Sequence, residues 1–403
     1  MRSVRALRAF AEVTLGRQRS PQHENGSFMV PYLRAANVKD GTLDLSDVKT
    51  MNFTPDEQRS FGLWPGDVLV SEGSGSLRTV GASAVWSGEI NGVVCFQNTL
   101  LRLRPRSKST DSRFLAWWAR HAFASGLFAG VATGANIYHI SAERVRAIPV
   151  SFPNVFRQRE VADFLDAETT RIYELIAKKR RMVNLVRTRF DLSVRQALGD
   201  PSWPPLPLKR RWTVIDCKHR TPTYAVEGIP VVSPGDTTPG RLDLSRCHRF
   251  VDTTDYQELT AGGRRPRRGD IIYSRNASVG IASYVDTDKP FCMGQDVCLI
   301  RSDDQDQRFL TYALNTFGLD QLELTKVGST FTRINVAQIS QLQIPCPKIE
   351  VQRHVADHLD QLTSTVGQIT VRLHRQIGLL QEHCQALITS AVTGQLDIPG
   401  VVA

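Results

Sequence analysis

The chain carries one ten-residue stretch twice, as RQREVADFLD at Arg157–Asp166 and as VQRHVADHLD at Val351–Asp360. Seven of the ten aligned positions are identical, at an offset of 194 residues. The match extends backwards, because residues 140–153 align with residues 334–347 at the same offset. A period this long is typical of a duplicated domain rather than of a solenoid built from short repeats. The sequence therefore predicts two copies of one domain-sized repeat.

A long helix is predicted in each repeat, beginning just before the duplicated stretch. Residues 155–198 and 349–393 contain no proline and few glycines, and we assign the segments 154–200 and 348–403 to the two helices. Apolar residues recur along both at heptad spacing, which is the pattern of a coiled-coil seam. The residues that we expect to pair the helices are Leu165, Ile172, Ile176, Val183, Val186, Leu359, Val366, Leu373, Leu380 and Leu387.

The two seams are buried most economically against each other, so we expect the helices to pair. The alternative is that each helix covers only the core of its own domain. Antiparallel pairing would place two equivalent domains at opposite ends, related by a pseudo-twofold axis like that of a DNA duplex. Parallel pairing would bring both domains to one end and lose that match.

The remaining segments, 1–153 and 201–347, are predicted to be globular and rich in strands. Short β-branched and aromatic runs alternate there with turn residues, and one helix is expected at about 111–124 and again at about 305–317. The stretch Pro201–Pro207 is interpreted as a linker that ends the first helix. The predicted fold class is α+β. Two mixed α/β domains are joined by two long helices that pair as an antiparallel coiled coil, with a pseudo-twofold internal repeat.

Composition limits the class of protein. The chain has 403 residues, of which 41% are hydrophobic, enough to build packed cores. Fifty Lys and Arg against forty Asp and Glu give a net charge of +10, which favours a polyanionic partner such as nucleic acid. No apolar run is long enough to predict a membrane span. The seven cysteines form no C-x-x-C motif, so we expect a reducing cytoplasm and no membrane partner.

Several motifs point to one family. Both duplicated stretches contain Gln-Arg-x-x-Ala-Asp-x-Leu-Asp, and each follows a proline-containing run such as Ile344–Pro347. Three further stretches are typical of the same family, namely Gly66–Leu69, Gly228–Val231 and Gln385–Leu396. With these motifs the sequence resembles, over nearly its whole length, the DNA-specificity (S) subunits of type I restriction-modification systems.

The resemblance implies how such a chain functions in a prokaryotic cytoplasm. Each globular domain would be a target recognition domain that reads one half of an asymmetric, bipartite site in double-stranded DNA. The helices would space the domains and dock two methyltransferase (M) subunits, which nuclease/translocase (R) subunits would join. S-adenosylmethionine would be bound by the M subunits, and ATP and Mg²⁺ by the R subunits. This chain would bind no cofactor or metal and would have no catalytic residues.

Catalytic motifs give an independent check. The sequence has no P-loop, and the stretch Pro204–Leu206 lacks the polar lead and aromatic end of the turn that holds a flipped base in amino-methyltransferases. His354 and His358 lie four residues apart on a predicted helix, but no glutamate follows His354, so a solvated helix face is favoured over a metal site. Three alternatives stay open: a specificity subunit of a related phage-defence methylation system, a catalytically active restriction or modification enzyme, and a coiled-coil scaffold that reads no DNA.

Polar and basic residues on turns that recur in both repeats are the best candidates for DNA contact, because loops on a rigid scaffold carry recognition. Matching positions with different side chains suit two domains that read different bases. The alternative for each of them is a solvated turn residue. The candidates in the first repeat are Arg17, Arg19, Arg34, Asn37, Lys39, Ser74, Ser76, Arg78, Asn136, Tyr138 and His139. Those in the second repeat are Lys218, His219, Arg220, Arg275, Asn276, Ser278, Thr330, Thr332 and Arg333.

The basic run Lys178–Arg181 on the first helix leaves three interpretations open. It could contact DNA phosphates between the half-sites, face an acidic surface of an M subunit, or form a solvated charged face.

Overall fold

The computed structural model describes residues 4–20, 23–325 and 333–398. The chain divides into two compact units. Unit 1 is Met1–Arg180 together with His374–Ala403, and unit 2 is Arg181–Leu373. Each unit therefore contains one globular part and a segment of each long helix.

Unit 1 is built around a four-stranded antiparallel sheet in the order β2-β11-β7-β9, beside a three-stranded sheet in the order β10-β3-β6. Its strands are β1 (Arg5–Ala6), β2 (Ala11–Leu15), β3 (Met29–Leu33), β4 (Val38–Lys39), β5 (Thr42–Leu43), β6 (Lys49–Asn52), β7 (Asp67–Ser71), β8 (Gly73–Ser74), β9 (Ser83–Trp86), β10 (Cys95–Phe96), β11 (Leu100–Pro105), β12 (Tyr138–His139) and β13 (Pro149–Val150). Its helices are α1 (Pro55–Phe61), α2 (Ser112–Ala124), α3 (Leu127–Gly130), α4 (Ala142–Ala147) and the first part of α5 (Val155–Leu198).

Unit 2 repeats this plan with a five-stranded sheet in the order β15-β22-β19-β20-β17 and a three-stranded sheet in the order β18-β16-β21. Its strands are β14 (Pro205–Pro207), β15 (Thr213–Asp216), β16 (Ile229–Val232), β17 (Gly240–Arg241), β18 (Phe250–Val251), β19 (Ile271–Ser274), β20 (Ala282–Tyr284), β21 (Cys292–Met293), β22 (Val297–Arg301) and β23 (Gln343–Pro345). Its helices are α6 (Thr253–Thr260), α7 (Gln307–Ala313), which continues through a π-helical turn at Leu314–Gly318 into α8 (Leu319–Thr325), α9 (Val336–Ser340) and the first part of α10 (Ile349–Thr393).

The recurring Gly-Asp turn has a structural cause in each unit. Gly66 and Gly269 have φ values of +95° and +93°, which glycine adopts without strain. The following aspartate is almost fully buried and forms two hydrogen bonds with an arginine of the neighbouring strand. In unit 1, Asp67 accepts from Arg104 at 2.8 and 2.7 Å, and in unit 2, Asp270 accepts from Arg301 at 2.7 and 2.6 Å.

The long helices pair in opposite directions within unit 1. Lys179 Nζ of α5 donates to Gln376 Oε1 of α10 at 2.7 Å. Tyr173, which precedes Lys179 on α5, interacts with Cys384, which follows Gln376 on α10. Since residue numbers fall along one helix as they rise along the other, the pairing is antiparallel.

Both packing alternatives considered for the helix seams occur in the structure. In unit 1, one buried cluster contains Ile172 and Ile176 of α5, Ile377 and Ile388 of α10, and Phe114 of the globular part. In unit 2, a second cluster unites Val194 and Leu198 of α5 with Ala356 and Leu359 of α10 and Phe309 of α7. The predicted pair of helices is confirmed, and each helix also covers part of its domain's core.

The seam residues proposed for helix pairing differ in how deeply they are buried. Leu165, Ile172, Ile176, Leu359 and Leu373 are buried, with at most 7% of their surface exposed. Val183, Val186, Val366, Leu380 and Leu387 are half-buried. Among the described residues, no helix is long and apolar enough to span a membrane.

The stretch Pro201–Pro207 is not wholly the linker that its composition predicted. Its last residues form β14, which pairs antiparallel with β23 at Pro205↔Pro345 and Pro207↔Gln343. The backbone of Cys346 also donates to the Pro204 carbonyl at 3.2 Å. Pro205 and Pro207 have no N–H to donate, and a two-stranded edge ribbon tolerates that loss.

Candidate nucleic-acid interface

The structure brings two candidate loops of unit 1 side by side. Strand β8 pairs with β12, with Ser74 opposite Tyr138 and Gly73 opposite His139. The backbone N–H of Ile140 donates to the Glu72 carbonyl at 2.9 Å and continues the pairing. We call residues 72–79 and 133–139 together the loop junction of unit 1. The candidates Ser74, Ser76, Arg78, Asn136, Tyr138 and His139 all belong to it.

The serines of this junction hold the first loop in shape. Ser74 Oγ lies within hydrogen-bond distance of Thr79 Oγ1 and accepts the backbone N–H of Ser76 at 3.2 Å. Ser76 Oγ accepts the N–H of Arg78 at 3.1 Å. Both serines are half-buried, whereas the side chain of Arg78 is exposed. Among the described residues, no carboxylate lies within ion-pair distance of the Arg78 guanidinium, so it is available to an anionic ligand.

His139 and Asn136 occupy the second loop of the junction. His139 Nδ1 lies 3.1 Å from Glu72 Oε2, so this ring already has a carboxylate partner at the base of the junction. Asn136 is exposed and Tyr138 is half-buried. The second loop therefore exposes the amide of Asn136, while Tyr138 packs partly against the core of unit 1.

Unit 2 has an equivalent loop junction, which we define by residues 275–278 and Arg333. Asn276 forms a bridge with Arg333, and the N–H of Ile334 donates to the Arg275 carbonyl at 2.9 Å, as Ile140 does in unit 1. Arg333 forms an ion pair with Asp296 at 2.8 Å, and Asn276 Nδ2 donates to the same carboxylate at 3.1 Å. Ser278 is half-buried on the first loop, and the candidates Thr330 and Thr332 lie outside the described residues.

Three candidates have side chains that are buried and already partnered inside the domain, which disfavours them as DNA contacts. Arg17 pairs with Glu57 at 2.7 Å and lies over the ring of Phe53. Asn37 is 2% exposed and donates to the backbone carbonyls of Asp44 and Asp47. Arg275, the first residue of the loop junction of unit 2, is 4% exposed and pairs with Asp216. Polar side chains committed in this way stabilise the loops instead of reaching a ligand.

The remaining candidates of unit 1 outside the loop junction lie nearer the surface, and some of them form ion pairs. In unit 1, Arg34 pairs with Asp47, Arg19 pairs with Glu24 at 2.9 Å, and Lys39 is exposed on β4. These side chains stay candidates for DNA contact.

In unit 2, the candidates that follow β15 have partners in the domain, which are carboxylates for Arg220 and His219 and a backbone carbonyl for Lys218. Arg220 pairs with Asp255 at 2.9 Å. Lys218 Nζ donates to the Glu258 carbonyl at 3.2 Å, and His219 lies 3.1 Å from Asp216. An exposed ion pair of this kind contributes little stability and can be exchanged for a phosphate contact.

A second set of recurring residues fixes each long helix to its domain. Gln158 is fully buried, and its Nε2 donates to the carbonyls of Pro153 and Ser109 at 2.8 and 2.9 Å, while its Oε1 accepts from the N–H of Asp111 at 2.9 Å. Gln352 is also fully buried, donates to the Pro347 carbonyl at 2.9 Å and accepts from the N–H of Asp306 at 3.0 Å.

An arginine and a ring complete each set. Arg113 Nη1 donates to Asp163 at 2.7 Å and to Asp166 at 3.0 Å, and Trp117 Nε1 donates to Asp166 at 2.8 Å. The same contacts recur between Arg308 and Asp357 (2.8 Å), between Arg308 and Asp360 (3.0 Å), and between Tyr312 and Asp360 (2.8 Å). We call these two groups the helix clamps. Their residues are Arg113, Trp117, Gln158, Asp163 and Asp166 in unit 1, and Arg308, Tyr312, Gln352, Asp357 and Asp360 in unit 2.

Comparison with known proteins identifies the domain type. Residues 216–377 match the family model described as the type I restriction modification DNA specificity domain. This match covers the globular part of unit 2 from the end of β15, together with its helix clamp. Residues 216–377 therefore belong to this domain family, and the whole chain is similar to the specificity subunits of type I restriction-modification systems. As the two units share strand order, loop junction and helix clamp, the chain carries this domain architecture twice.

Two similar proteins align with most of the chain. It is 22% identical over 396 residues to the type I restriction enzyme StySPI specificity subunit of Salmonella potsdam, covering 91% of this chain and 82% of that protein. It is 21% identical over 373 residues to the putative type I restriction enzyme MjaX specificity subunit of Methanocaldococcus jannaschii, covering 88% of this chain and 85% of that protein.

Two solved structures share the fold. One belongs to work on complex assembly and conformational transition of the type I R-M system, with a TM-score of 0.77 and 19% identity over 98% of each chain. The other is the HsdS subunit of Thermoanaerobacter tengcongensis, with a TM-score of 0.56 and 17% identity, covering 98% of this chain and 97% of that one.

The helix clamp is the element whose role the sequence did not reveal. The duplicated stretch contributes Gln158, Asp163 and Asp166, but its partners Arg113 and Trp117 lie about 50 residues earlier. Their recurrence in the second repeat, as Arg308 and Tyr312, was the available signal. The motif of the specificity subunit is therefore explained by the anchoring of a helix to a domain.

The side chains with metal-binding chemistry have other partners. In the described part of the chain, one group has metal-ligand spacing: Asp216, Cys217 and His219. Asp216 already pairs with Arg275, and burial raises the pKa of the Cys217 thiol, which disfavours the thiolate that binds metals. His354 and His358 are exposed on α10. Cys292 and Cys298 are fully buried core residues.

The basic run on α5 is divided in its contacts. Lys178, Arg180 and Arg181 are exposed, whereas Lys179 is half-buried and bonded to Gln376 of α10. The exposed members keep the three interpretations that the sequence left open.

Proposed function

We propose that this specificity subunit reads two different DNA half-sites, one with the globular part of each unit, and contributes no catalytic step. The observation that carries the proposal is a contrast between constant and variable parts of one architecture. The main hydrogen bonds of the helix clamps recur in both units, while the loop junctions differ in sequence, charge and length. Loops that vary on a constant scaffold are the expected basis of two separate specificities.

The length difference lies at the point of greatest divergence. Between the equivalent residues Ser71 and Val80, unit 1 has residues 72–79, whereas unit 2 has residues 275–278 between Ser274 and Val279. Unit 1 presents Arg78 with its guanidinium free of ion pairs among the described residues. Unit 2 presents Arg333 held by Asp296. A free guanidinium suits guanine or phosphate, and an arginine oriented by a carboxylate has a more restricted geometry for base contact.

The long helices would set the spacing between the half-sites. Each is continuous, over Val155–Leu198 and Ile349–Thr393, and each is fixed to a domain by a helix clamp. We propose a bipartite, asymmetric target with a nonspecific spacer and with half-site centres about one DNA turn, roughly 34 Å, apart.

Partner docking is proposed for an exposed apolar row on α5. Met182, Leu185 and Leu192 are 49%, 61% and 61% exposed and follow heptad spacing outside the buried seam. An exposed coiled-coil row of this kind is an interaction face for further helices. We assign it to the M subunits, which would bind S-adenosylmethionine, while R subunits would bind ATP and Mg²⁺. This chain would need none of these cofactors.

The experiment is a map of modified adenines after co-expression of the specificity subunit with its M subunits. We expect one methylated adenine on each strand, at a fixed separation, in a motif of two unlike halves. A continuous or palindromic motif would contradict the division of recognition between the units. Methyl transfer or DNA cleavage by the purified chain alone would contradict the non-catalytic role.

A further inference from the structure

The loop junction of unit 1 exposes two large aliphatic side chains among polar ones. Leu77, at the tip of the first loop, is 43% exposed, and Ile137, on the second loop, is 57% exposed. Their neighbours in sequence are the exposed Arg78 and Asn136. Exposed aliphatic groups on candidate recognition loops, set beside polar ones, fit a ligand with both apolar and polar parts.

Both loops are preformed by internal hydrogen bonds. The N–H groups of Thr79 and Val80 both donate to the Ser76 carbonyl at 3.1 Å, closing a tight turn around Leu77. In the second loop, Thr133 and His139 exchange two backbone hydrogen bonds at 2.9 and 2.8 Å. Gly134 has a φ of +123°, and a Cβ there would lie 1.9 Å from the Ile137 carbonyl oxygen, so this turn requires glycine. Side chains held in this way lose little conformational entropy on binding.

The pairing of β8 with β12 decides where the two side chains are presented. Leu77 lies three residues beyond the paired Ser74, and Ile137 lies one residue before the paired Tyr138. Both aliphatic residues therefore leave the sheet at the same end of one two-stranded ribbon. A two-stranded ribbon fits the major groove of B-DNA, where the C5-methyl of thymine is the apolar group on a base edge.

We propose that Leu77 and Ile137 read a thymine C5-methyl group in the half-site bound by unit 1, with Arg78 holding the adjacent phosphate or guanine. This inference rests on the proposed DNA-reading function and adds the chemical group that is read. Unit 2 has a shorter first loop, Arg275–Ser278, in which Ala277 is the only apolar residue. This loop therefore has no side chain as long as that of Leu77 for such a contact.

The test removes the methyl group without changing base pairing. The specificity subunit is assembled with its M subunits, and thymines in the half-site of unit 1 are replaced one at a time by uracil. Binding should weaken about fourfold at one position, which corresponds to losing burial of one methyl group. In the double variant Leu77→Ala/Ile137→Ala, thymine and uracil at that position should bind equally. Val93→Ala is the matched control, because Val93 is 45% exposed in the same unit and lies outside the junction; it should keep the thymine preference.

Several outcomes would overturn the inference. They are a unit 1 half-site without thymine, equal binding of all uracil duplexes by the unaltered complex, and a thymine preference that survives the double variant. Loss of M-subunit association in the double variant, with thymine preference intact, would assign the two side chains to a protein interface and overturn it as well. Failure of the proposed function looks different, because the complex would then show no sequence preference with either thymine or uracil.

Discussion

Each unit of the duplicated chain contains one helix clamp and one loop junction. The two clamps keep the same main contacts, whereas the two junctions differ in their side chains. In the clamps, Arg113 and Arg308 make the same contacts with two aspartates, and their distances agree within 0.1 Å. In the junctions, the backbone pairing is kept while the side chains change from Glu72 and His139 to Arg275 and Arg333. The comparison indicates that the two units keep the same geometry where a helix meets its domain, and that they differ where the loops meet solvent.

The largest expected effect comes from exchanging one domain. Replacing residues 201–347 with the equivalent segment of another specificity subunit should change one half-site completely and leave the other unaltered. The reason is that base contacts lie within each globular part, while the helices and the clamp residues outside that segment are retained. Methylation maps of the original and exchanged complexes measure the result. Alteration of both half-sites would break the comparison, because recognition would not be divided between the units.

The next effect tests the buried ion pair that both units share. Asp67→Ala leaves Arg104, which is 15% exposed, without its carboxylate, and breaking such a pair costs about 3–5 kcal/mol of stability. Hydrogen exchange of the β7 and β11 amides in the assembled complex should rise accordingly. Asp47→Ala is the control, because Asp47 is 59% exposed and pairs on the surface. Its effect should stay below about 1 kcal/mol.

The sequence alone was enough to predict the elements that have a local or a repeated sequence pattern. Heptads and the absence of proline located α5 and α10, and the offset of 194 residues revealed the duplication. The sequence was not enough to predict whether a side chain is buried when this depends on a partner that is distant in the chain. Arg17 points inward because Glu57 lies behind it, and Arg275 does so because of Asp216. Strand β14 is invisible locally, since its pairing with β23 is made only in the folded domain.

A smaller effect should be equal in both units. Gln158→Leu keeps the volume of a buried side chain and leaves the N–H of Asp111 and the Pro153 carbonyl without their partner. A fully buried group left unsatisfied costs about 1–3 kcal/mol. These two groups are only partly buried, so we expect a combined loss in the lower part of the range for two such groups, roughly 2–4 kcal/mol. Gln352→Leu should lose the same amount, measured by urea unfolding of the complex. A large effect in one unit and none in the other would show that only one clamp anchors its helix.

The smallest expected effect is on the DNA affinity, and it should differ between an arginine that faces solvent, Arg78, and one that is buried, Arg275. Arg78→Ala should weaken DNA binding several-fold for every sequence and reduce the slope of log affinity against log salt by about one, if the guanidinium holds a phosphate. Arg59→Ala is the control, because Arg59 is 73% exposed on α1 and pairs with Asp56; its salt slope should not change. Arg275→Ala should act differently, since this side chain is 4% exposed. Its loss removes the buried cation that pairs with the Asp216 carboxylate, so it should lower the stability of unit 2 without changing the salt slope of correctly folded complexes. Titrations at several salt concentrations measure both variants, and an unchanged slope for Arg78→Ala would remove this residue from the DNA interface. A reduced slope for Arg275→Ala would instead show that the loop junction of unit 2 opens when DNA binds.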